Sequence, residues 1–280
     1  MLIQAIIIIL YLLFIIYIFK IEPNLVKISN SKININNLPN LSDYPRNLTI
    51  IHISDLHIIN LEKKDLFCIN KINEINSDLI LVTGDLVANV HGINPTLALI
   101  NSLKSKYGIY GVFGNEEYQS LYYHHIEALI NSNITILRNE YSKINLKNNQ
   151  KLYIIGLDDP VFKRDDLEKS IHGLPSEGFK ILLTHSPEIT RIYPGDKLNI
   201  FNLILSGHVH GGQVRIPFVG PLIIPFGCER KYNSGLHKIG KTYLSVNRGI
   251  GTCPLTVRLF CRPEISIIKL NFVDNSDAKN

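Results

Sequence analysis

Eight short and nearly uninterrupted apolar runs mark the chain from residue 48 onward: LTIIHIS, DLILVTG, GIYGVFG, KLYIIGL, FKILLTH, FNLILSG, KTYLSVN and EISIIKL. A run of this length without polar alternation reads as a strand covered on both faces. Between the early runs, Leu66, Ile69, Ile72 and Ile75, and again Leu97, Ile100 and Leu103, recur at the three-residue spacing of an amphipathic helix laid on a sheet. The later runs have fewer such segments between them, which predicts a second sheet packed on the first. The fold class expected is therefore α/β, and ligands of layered α/β folds sit beyond the carboxyl ends of the strands.

Five of the runs lead straight into a polar motif: ISDLH, TGDL, GNEE, LLTHS and SGHVHGG. These place Asp55, His57, Asp85, Asn115, His185, His208 and His210 at strand ends. Taken singly, each has an ordinary explanation, since an Asp after a strand commonly caps a helix and a lone His is commonly a satisfied surface or core residue. Taken together, they offer seven nitrogen and oxygen donors that can hold two metal ions. A carboxylate such as Asp85 can bridge two cations roughly 3.5 to 4 Å apart, the spacing used for in-line attack on phosphorus. Imidazole, carboxylate and amide without thiolate point to manganese, iron or zinc rather than calcium, with manganese expected first. Gly84, Gly114, Gly207, Gly211 and Gly212 beside these residues allow tight turns and close approach of backbone to an ion or phosphate.

The ordered set of Asp-x-His, Gly-Asp, Gly-Asn, a strand-terminal His and Gly-His-x-His resembles the calcineurin-like metallophosphoesterase superfamily across roughly residues 48 to 270. That resemblance implies a four-layer α/β/β/α sandwich with a dinuclear centre. By the same resemblance Asp55, His57 and His210 hold the first metal, Asn115, His185 and His208 the second, and Asp85 bridges them. The stretch GGQVRIPFVGPLIIP, with YNSGLH, NRGIGT and RLFCRPE, further resembles a bacterial branch whose members commonly carry an N-terminal membrane segment or export signal. A neighbour in that branch hydrolyses the pyrophosphate of UDP-2,3-diacylglucosamine, a lipid A precursor. The resemblance thus implies a phosphohydrolase acting on a phosphodiester or pyrophosphate, with a phosphorylated small molecule or lipid as substrate.

One position departs from the family. Its third motif reads Gly-Asn-His and then Asp or Glu, whereas here the string is Gly114, Asn115, Glu116, Glu117. The missing imidazole is one that sits over the scissile phosphate, where it stabilises charge or protonates the leaving oxygen. An ionised Glu116 opposes an anionic substrate, while a protonated one restores a donor, and burial raises a carboxyl pKa in that direction. Substituting such an acid costs roughly 10² to 10⁴ in rate, least for pyrophosphate or phenolate-like leaving groups. The catalytic residues expected are accordingly Asp85 and Glu116, with Asn115 and Arg215 at the substrate; of Arg215, Arg230 and Arg248, at most one is expected to clamp a phosphate. His124 and His125 are candidates for a replacement imidazole. The alternative reading is a metal-binding or lipid-binding module that lost turnover through Glu116.

Residues 1 to 19 carry no charged side chain, and a helix of that length spans roughly 28 Å, close to a bilayer's hydrocarbon thickness. The segment has neither a positive n-region nor a small-residue cleavage site nor a twin arginine, so residues 1–20 read as a retained single-pass transmembrane helix. Lys20, Lys27 and Lys32 follow it and none precedes it, which places the catalytic domain on the cytoplasmic side of a bacterial inner membrane. Residues 21–47, with Pro23, Pro39 and Pro45, read as a linker. Residues 48–272 form the metallophosphoesterase domain and 273–280 a polar tail. The net charge is +5, but the basic residues are scattered in pairs such as Lys63-Lys64 and Lys163-Arg164, so no nucleic-acid partner is expected. The four cysteines show no C-x-x-C spacing and read as free thiols.

Overall fold

A computed structural model describes residues 1–36, 38–119, 127–147 and 150–273. Its centre is a pair of six-stranded sheets. The first runs, in spatial order, β1 (Lys27–Ile35), β14 (Glu264–Phe272), β2 (Asn47–Ile53), β3 (Leu79–Thr83), β4 (Ile109–Val112) and β5 (Ile134–Ile136). The second runs β12 (Gly235–Ile239), β13 (Thr242–Val246), β9 (Leu203–Ser206), β8 (Phe179–Leu183), β7 (Lys151–Gly156) and β6 (Glu140–Asn145). A short hairpin, β10 (Arg215–Ile216) and β11 (Gly220–Pro221), lies outside both sheets. The strands that lead into the motifs are parallel within each sheet, so their carboxyl ends face one way.

Each of the eight apolar runs forms a strand, and the continuous pattern has the expected cause. Leu79 and Leu81 of β3 pack inward against Ile181, Leu183, Leu203 and Leu205 of the second sheet. Ile80 and Val82, one residue out of phase, pack outward with Ile72, Leu99 and Ile100 of the helices α2 (Lys63–Glu74) and α3 (Ile93–Ser102). On the other side Leu182, Ile204 and Leu244 meet Leu167, Ile189 and Leu198 from short helical turns. Helix, sheet, sheet and helix make the four-layer α/β/β/α sandwich. Full burial of a Leu, Ile or Val side chain contributes roughly 1.5–3 kcal/mol, so three stacked apolar layers supply the driving force for closing one sheet on the other.

Three expectations change. The stretch 21–47 is no linker, because β1 lies within it and pairs with β14 from Lys27↔Glu264 to Ile35↔Phe272. Only Ile33 and Ile35 of this edge strand are buried, so its sequence carries little apolar signal. Leu41 and Tyr44 are also buried, with Tyr44 stacked on Phe272. On α2 the stripe is rotated: Asp65, Cys68 and Ile72 are buried, whereas Leu66 is 52% exposed. A capping box of Glu62 and Asp65 begins this helix and sets its phase. At the N-terminus α1 (Leu2–Ile16) continues through wider helical turns, giving an apolar helical stretch from Leu2 to Asn24 that is long enough to cross a membrane. The four cysteines are free thiols. His124, His125 and the tail beyond Val273 fall outside the described residues.

Candidate metal centre

All seven donors stand just past the carboxyl ends of parallel strands, Asp55 and His57 after β2, Asp85 after β3, Asn115 after β4, His185 after β8, and His208 and His210 after β9. The loops they occupy are stitched together within each sheet, and His208 N donating to Asp55 Oδ2 (3.0 Å) joins one sheet's loops to the other's. Asp55 N donates to Gly84 O (3.0 Å), His57 N to Asp85 O (3.0 Å) and Gly207 N to His185 O (2.8 Å). Asp55, His57, Asp85, His208 and His210 all adopt positive φ, from 45° to 67°. Non-glycine residues in this left-handed region cost of order 1–3 kcal/mol each and persist only where the surroundings over-determine them. Gly114 and Gly207 leave room for that crowding, since a Cβ at Gly114 would run into Asp85 Oδ1 and one at Gly207 into Ser54 Oγ.

The side chains fall into two groups that share one carboxylate. Asp55, His57 and His210 form the first, with ligand atoms within 4.8 Å of one another. Here His57 Nε2 lies 3.1 Å from His210 Nε2, which is 3.4 Å from Asp55 Oδ1. In the second, His185 Nε2 is 3.1 Å from both His208 Nδ1 and Asn115 Oδ1. Asp85 Oδ2 is 3.5 Å from His57 Nε2 and 3.4 Å from His185 Nε2, so one oxygen faces both groups.

Two of these donors, His57 and His208, are already in the chemical state that suits a cation. Burial lowers the pKa of His57 and, with His185 adding, brings that of His208 down to about 3, so both imidazoles are neutral and keep lone pairs to give. His57 and His210 bring their Nε2 atoms to 3.1 Å, and with the ring protons on Nδ1 both would offer lone pairs to a cation between them. Burial, with the charge of Asp85 adding, pushes the Asp55 carboxyl up to about 7. Burial opposes charge on Asp85 and His185 alike, yet their contact keeps the first below and the second above its ordinary value. Positive charge is what this cluster lacks. His185 Nδ1 is 2.8 Å from Thr83 O, which accepts its proton and leaves Nε2 facing the centre.

Two supporting residues escaped the sequence reading. Glu117 is fully buried and accepts from the backbone N–H of Asp85 (2.9 Å), Leu86 (2.6 Å), Val87 (3.3 Å) and Gly114 (2.7 Å), tying the Asp85 loop to the Asn115 loop. Its only signal was the second acid of GNEE. Arg258, also fully buried, donates to the carbonyls of Arg248 (2.9 Å), Gly249 (3.1 Å), Cys261 (2.9 Å) and Gly251. That fixes a loop from which Ile250 N reaches Ser54 O (3.1 Å) and Gly251 N reaches Asp55 O (2.7 Å).

The expected phosphate clamp does not form. Arg215 Nη1 donates to Gly211 O (2.8 Å) and Asn233 Oδ1 (2.6 Å), Arg230 to Pro221 O, and Arg248 faces Glu264 at 4.0 Å. Arg215 and Arg230 are taken up by loop carbonyls and a side-chain amide, Arg248 Nε is buried without a hydrogen-bond partner among the described residues, and none of the three residues is among those lining the cavity above the centre. That cavity, about 560 Å³, has Asp85, Asn115, Glu116, His208 and His210 at its floor, and Leu222, Ile223, Ile224, Pro225, Leu255 and Val257 along its wall. Glu116 N donates to Asp85 Oδ1 (3.0 Å) and its carboxyl accepts from Asn115 Nδ2 (3.2 Å). Burial, with Asp85 adding, raises the Glu116 pKa to about 7.

Two stacked sheets that deliver imidazole, carboxylate and amide donors to one edge, with a carboxylate shared between two groups, define a metal-dependent phosphoesterase. Residues 48–212 match the calcineurin-like phosphoesterase family, and the chain belongs to it. It is 32% identical over 262 residues to the uncharacterized metallophosphoesterase YkuE of Bacillus subtilis, covering 89% of this chain and 87% of that one. A transmembrane protein with a metallophosphoesterase domain from Danio rerio is 27% identical, covering 80% of this chain and 53% of the fish protein. Among solved structures, GAP50, the anchor in the inner membrane complex of Plasmodium, shares the fold at a TM-score of 0.50 and 14% identity, covering 81% of this chain and 82% of the other. The family typically depends on two metal ions, in keeping with the two donor groups.

Proposed function

We propose that the protein is a membrane-anchored phosphohydrolase that cleaves a phosphodiester or pyrophosphate bond with two divalent cations, manganese first among the candidates. The observation that carries this reading is Asp85 Oδ2 standing within 3.5 Å of a ring nitrogen from each donor group. Asp55, His57 and His210 would hold one ion, Asn115, His185 and His208 the other, with Asp85 between. Bound there, the ions would supply Lewis acidity toward the phosphate and activate water.

The chain's own residues handle the rest. Neutral His57 and His208 need no deprotonation to ligate, and Thr83 O keeps His185 turned inward. Glu116 stands at the cavity floor, where burial and the Asp85 charge raise its pKa and favour a protonated carboxyl that could serve a leaving oxygen, while bound cations would act in the opposite direction. A pyrophosphate or phenolate-like leaving group needs that proton least. The apolar wall over the floor suits a lipid-tailed substrate, of which UDP-2,3-diacylglucosamine is the sharpest version, with the domain on the cytoplasmic face of the inner membrane.

The test uses the full chain in membranes with bis-p-nitrophenyl phosphate and manganese, and with radiolabelled UDP-2,3-diacylglucosamine, each with and without chelator. Chelator-sensitive hydrolysis of the first supports the phosphohydrolase, and of the second the lipid substrate. Tight metal binding with no turnover of any phosphoester would instead favour the binding module, a reading that rests on the Glu116 carboxyl over the centre.

A further inference from the structure

We infer that the mouth of the metal cavity is seated in the lipid leaflet at the end of the N-terminal helix, through an apolar apron formed by the 216–226 hairpin and the 255–260 loop. Phe218 and Phe226 are fully exposed, Ile223 is 78% exposed, and Val219, Leu255 and Phe260 lie between 59% and 65%. Single exposed apolar residues are ordinary, but a contiguous set of this size marks an interaction surface.

What covers it follows from a ladder of backbone hydrogen bonds that begins at the helix. Arg258 N donates to Ile18 O (3.0 Å), Leu259 N to Gln213 O (2.9 Å), Arg215 N to Leu259 O (2.9 Å), and Leu222 N to Val214 O (3.0 Å). At about 4.8 Å per rung, the apron begins within roughly 10–15 Å of the helix end. Ile18 precedes Lys20, the first charged side chain of the segment. The end of the helix is also clamped rather than tethered. Glu22 is fully buried and accepts from Cys261 N (2.6 Å), and Arg262 Nε donates to Leu25 O (2.7 Å).

A helix end in the membrane interface, held this rigidly, therefore carries the apron into the same leaflet. Leu222, Ile223 and Leu255 belong both to the exposed apron and to the cavity wall, so an acyl chain passes from bilayer to metal centre along a continuous apolar path. This rests on the membrane-anchor part of the proposed function, and its test reads contact with lipid rather than catalysis.

The chain contains no tryptophan, so single indoles report cleanly. Full-length Phe218→Trp, Phe226→Trp and Val219→Trp variants are reconstituted in phosphatidylcholine vesicles whose acyl chains are brominated. Ile200→Trp, just before β9 and at the opposite end of the strand from His208, is the control. The expected result is a loss of more than half the fluorescence in the three apron variants and little loss in the control. Flotation with the vesicles but no apron quenching overturns the inference while leaving the anchor intact, as does a second copy of the chain found cross-linked over the apron. Failure to float overturns the anchor reading itself.

Discussion

Asp85, Asn115 and His185 extend from central strands of the two sheets, where Glu117 gathers the neighbouring backbone N–H groups. Asp55, His57 and His210, which also follow central strands, lean in addition on the 248–261 loop, which Arg258 fills and which Ile18 and Glu22 at the foot of the N-terminal helix pin in place. Cys261 adds a direct link, its Sγ donating to His210 O at 3.2 Å. The second group is thus propped by the core of the sandwich, and the first by that core together with a peripheral loop that also holds the N-terminal helix. Two metal positions a few ångströms apart consequently depend on different parts of the molecule. The difference teaches that disturbing the N-terminal helix or the loop reaches the first group before the second, while disturbing the sheets reaches both.

The largest effect tests what the two halves share. Asp85→Ala removes the one oxygen that faces both, and losing the several kcal/mol of metal-supplied stabilisation, at about 1.36 kcal/mol per tenfold, lowers turnover roughly 10³-fold or more. Metal analysis after dialysis against manganese would show both positions depleted; a variant that keeps one full equivalent would mean the halves are independent. Next, Glu117→Gln replaces one of the two carboxyl oxygens that accept the backbone N–H groups of Asp85, Leu86, Val87 and Gly114 and is expected to weaken the second position by roughly 10- to 100-fold, as lost supporting hydrogen bonds typically do. A titration in which the first position weakened more would reverse the assignment.

Arg258→Met keeps bulk while leaving the carbonyls of Arg248, Gly249 and Cys261 without their donor. It should weaken the first position about tenfold, toward the low end of that range, and leave the second nearly unchanged, with calorimetric titration of manganese as the readout. Smallest is Glu22→Gln, which retains an oxygen acceptor for Cys261 N and removes only charge. A shift of at most about 1 kcal/mol, a few-fold in first-position affinity, is expected. No difference between the two positions in this last variant, together with an inert Arg258→Met, would dissolve the contrast between them.

Much of this was legible in the chain. Continuous apolar runs announced strands covered on both faces, and the motifs directly after them announced donors at strand ends. Both are local patterns, and the seven residues they named do come together. What was hidden depends on contacts between distant segments. The polar edge strand β1 is recognisable only beside β14, some 240 residues away. Arg215 offers the same side chain whether it clamps a phosphate or braces a hairpin, and only its carbonyl and amide partners decide.

By itself the sequence determined the layer architecture and the chemical identity of the donors, because periodicity and residue type are properties of short stretches. Only the tertiary structure decided that Asp85 faces both groups, that five of the donors adopt left-handed backbone, and that Glu117 and Arg258 hold the loops. The reason is physical. Strained turns and buried, desolvated side chains are stable only when packing and hydrogen bonds from remote segments hold them, and no local pattern encodes which remote segments those are.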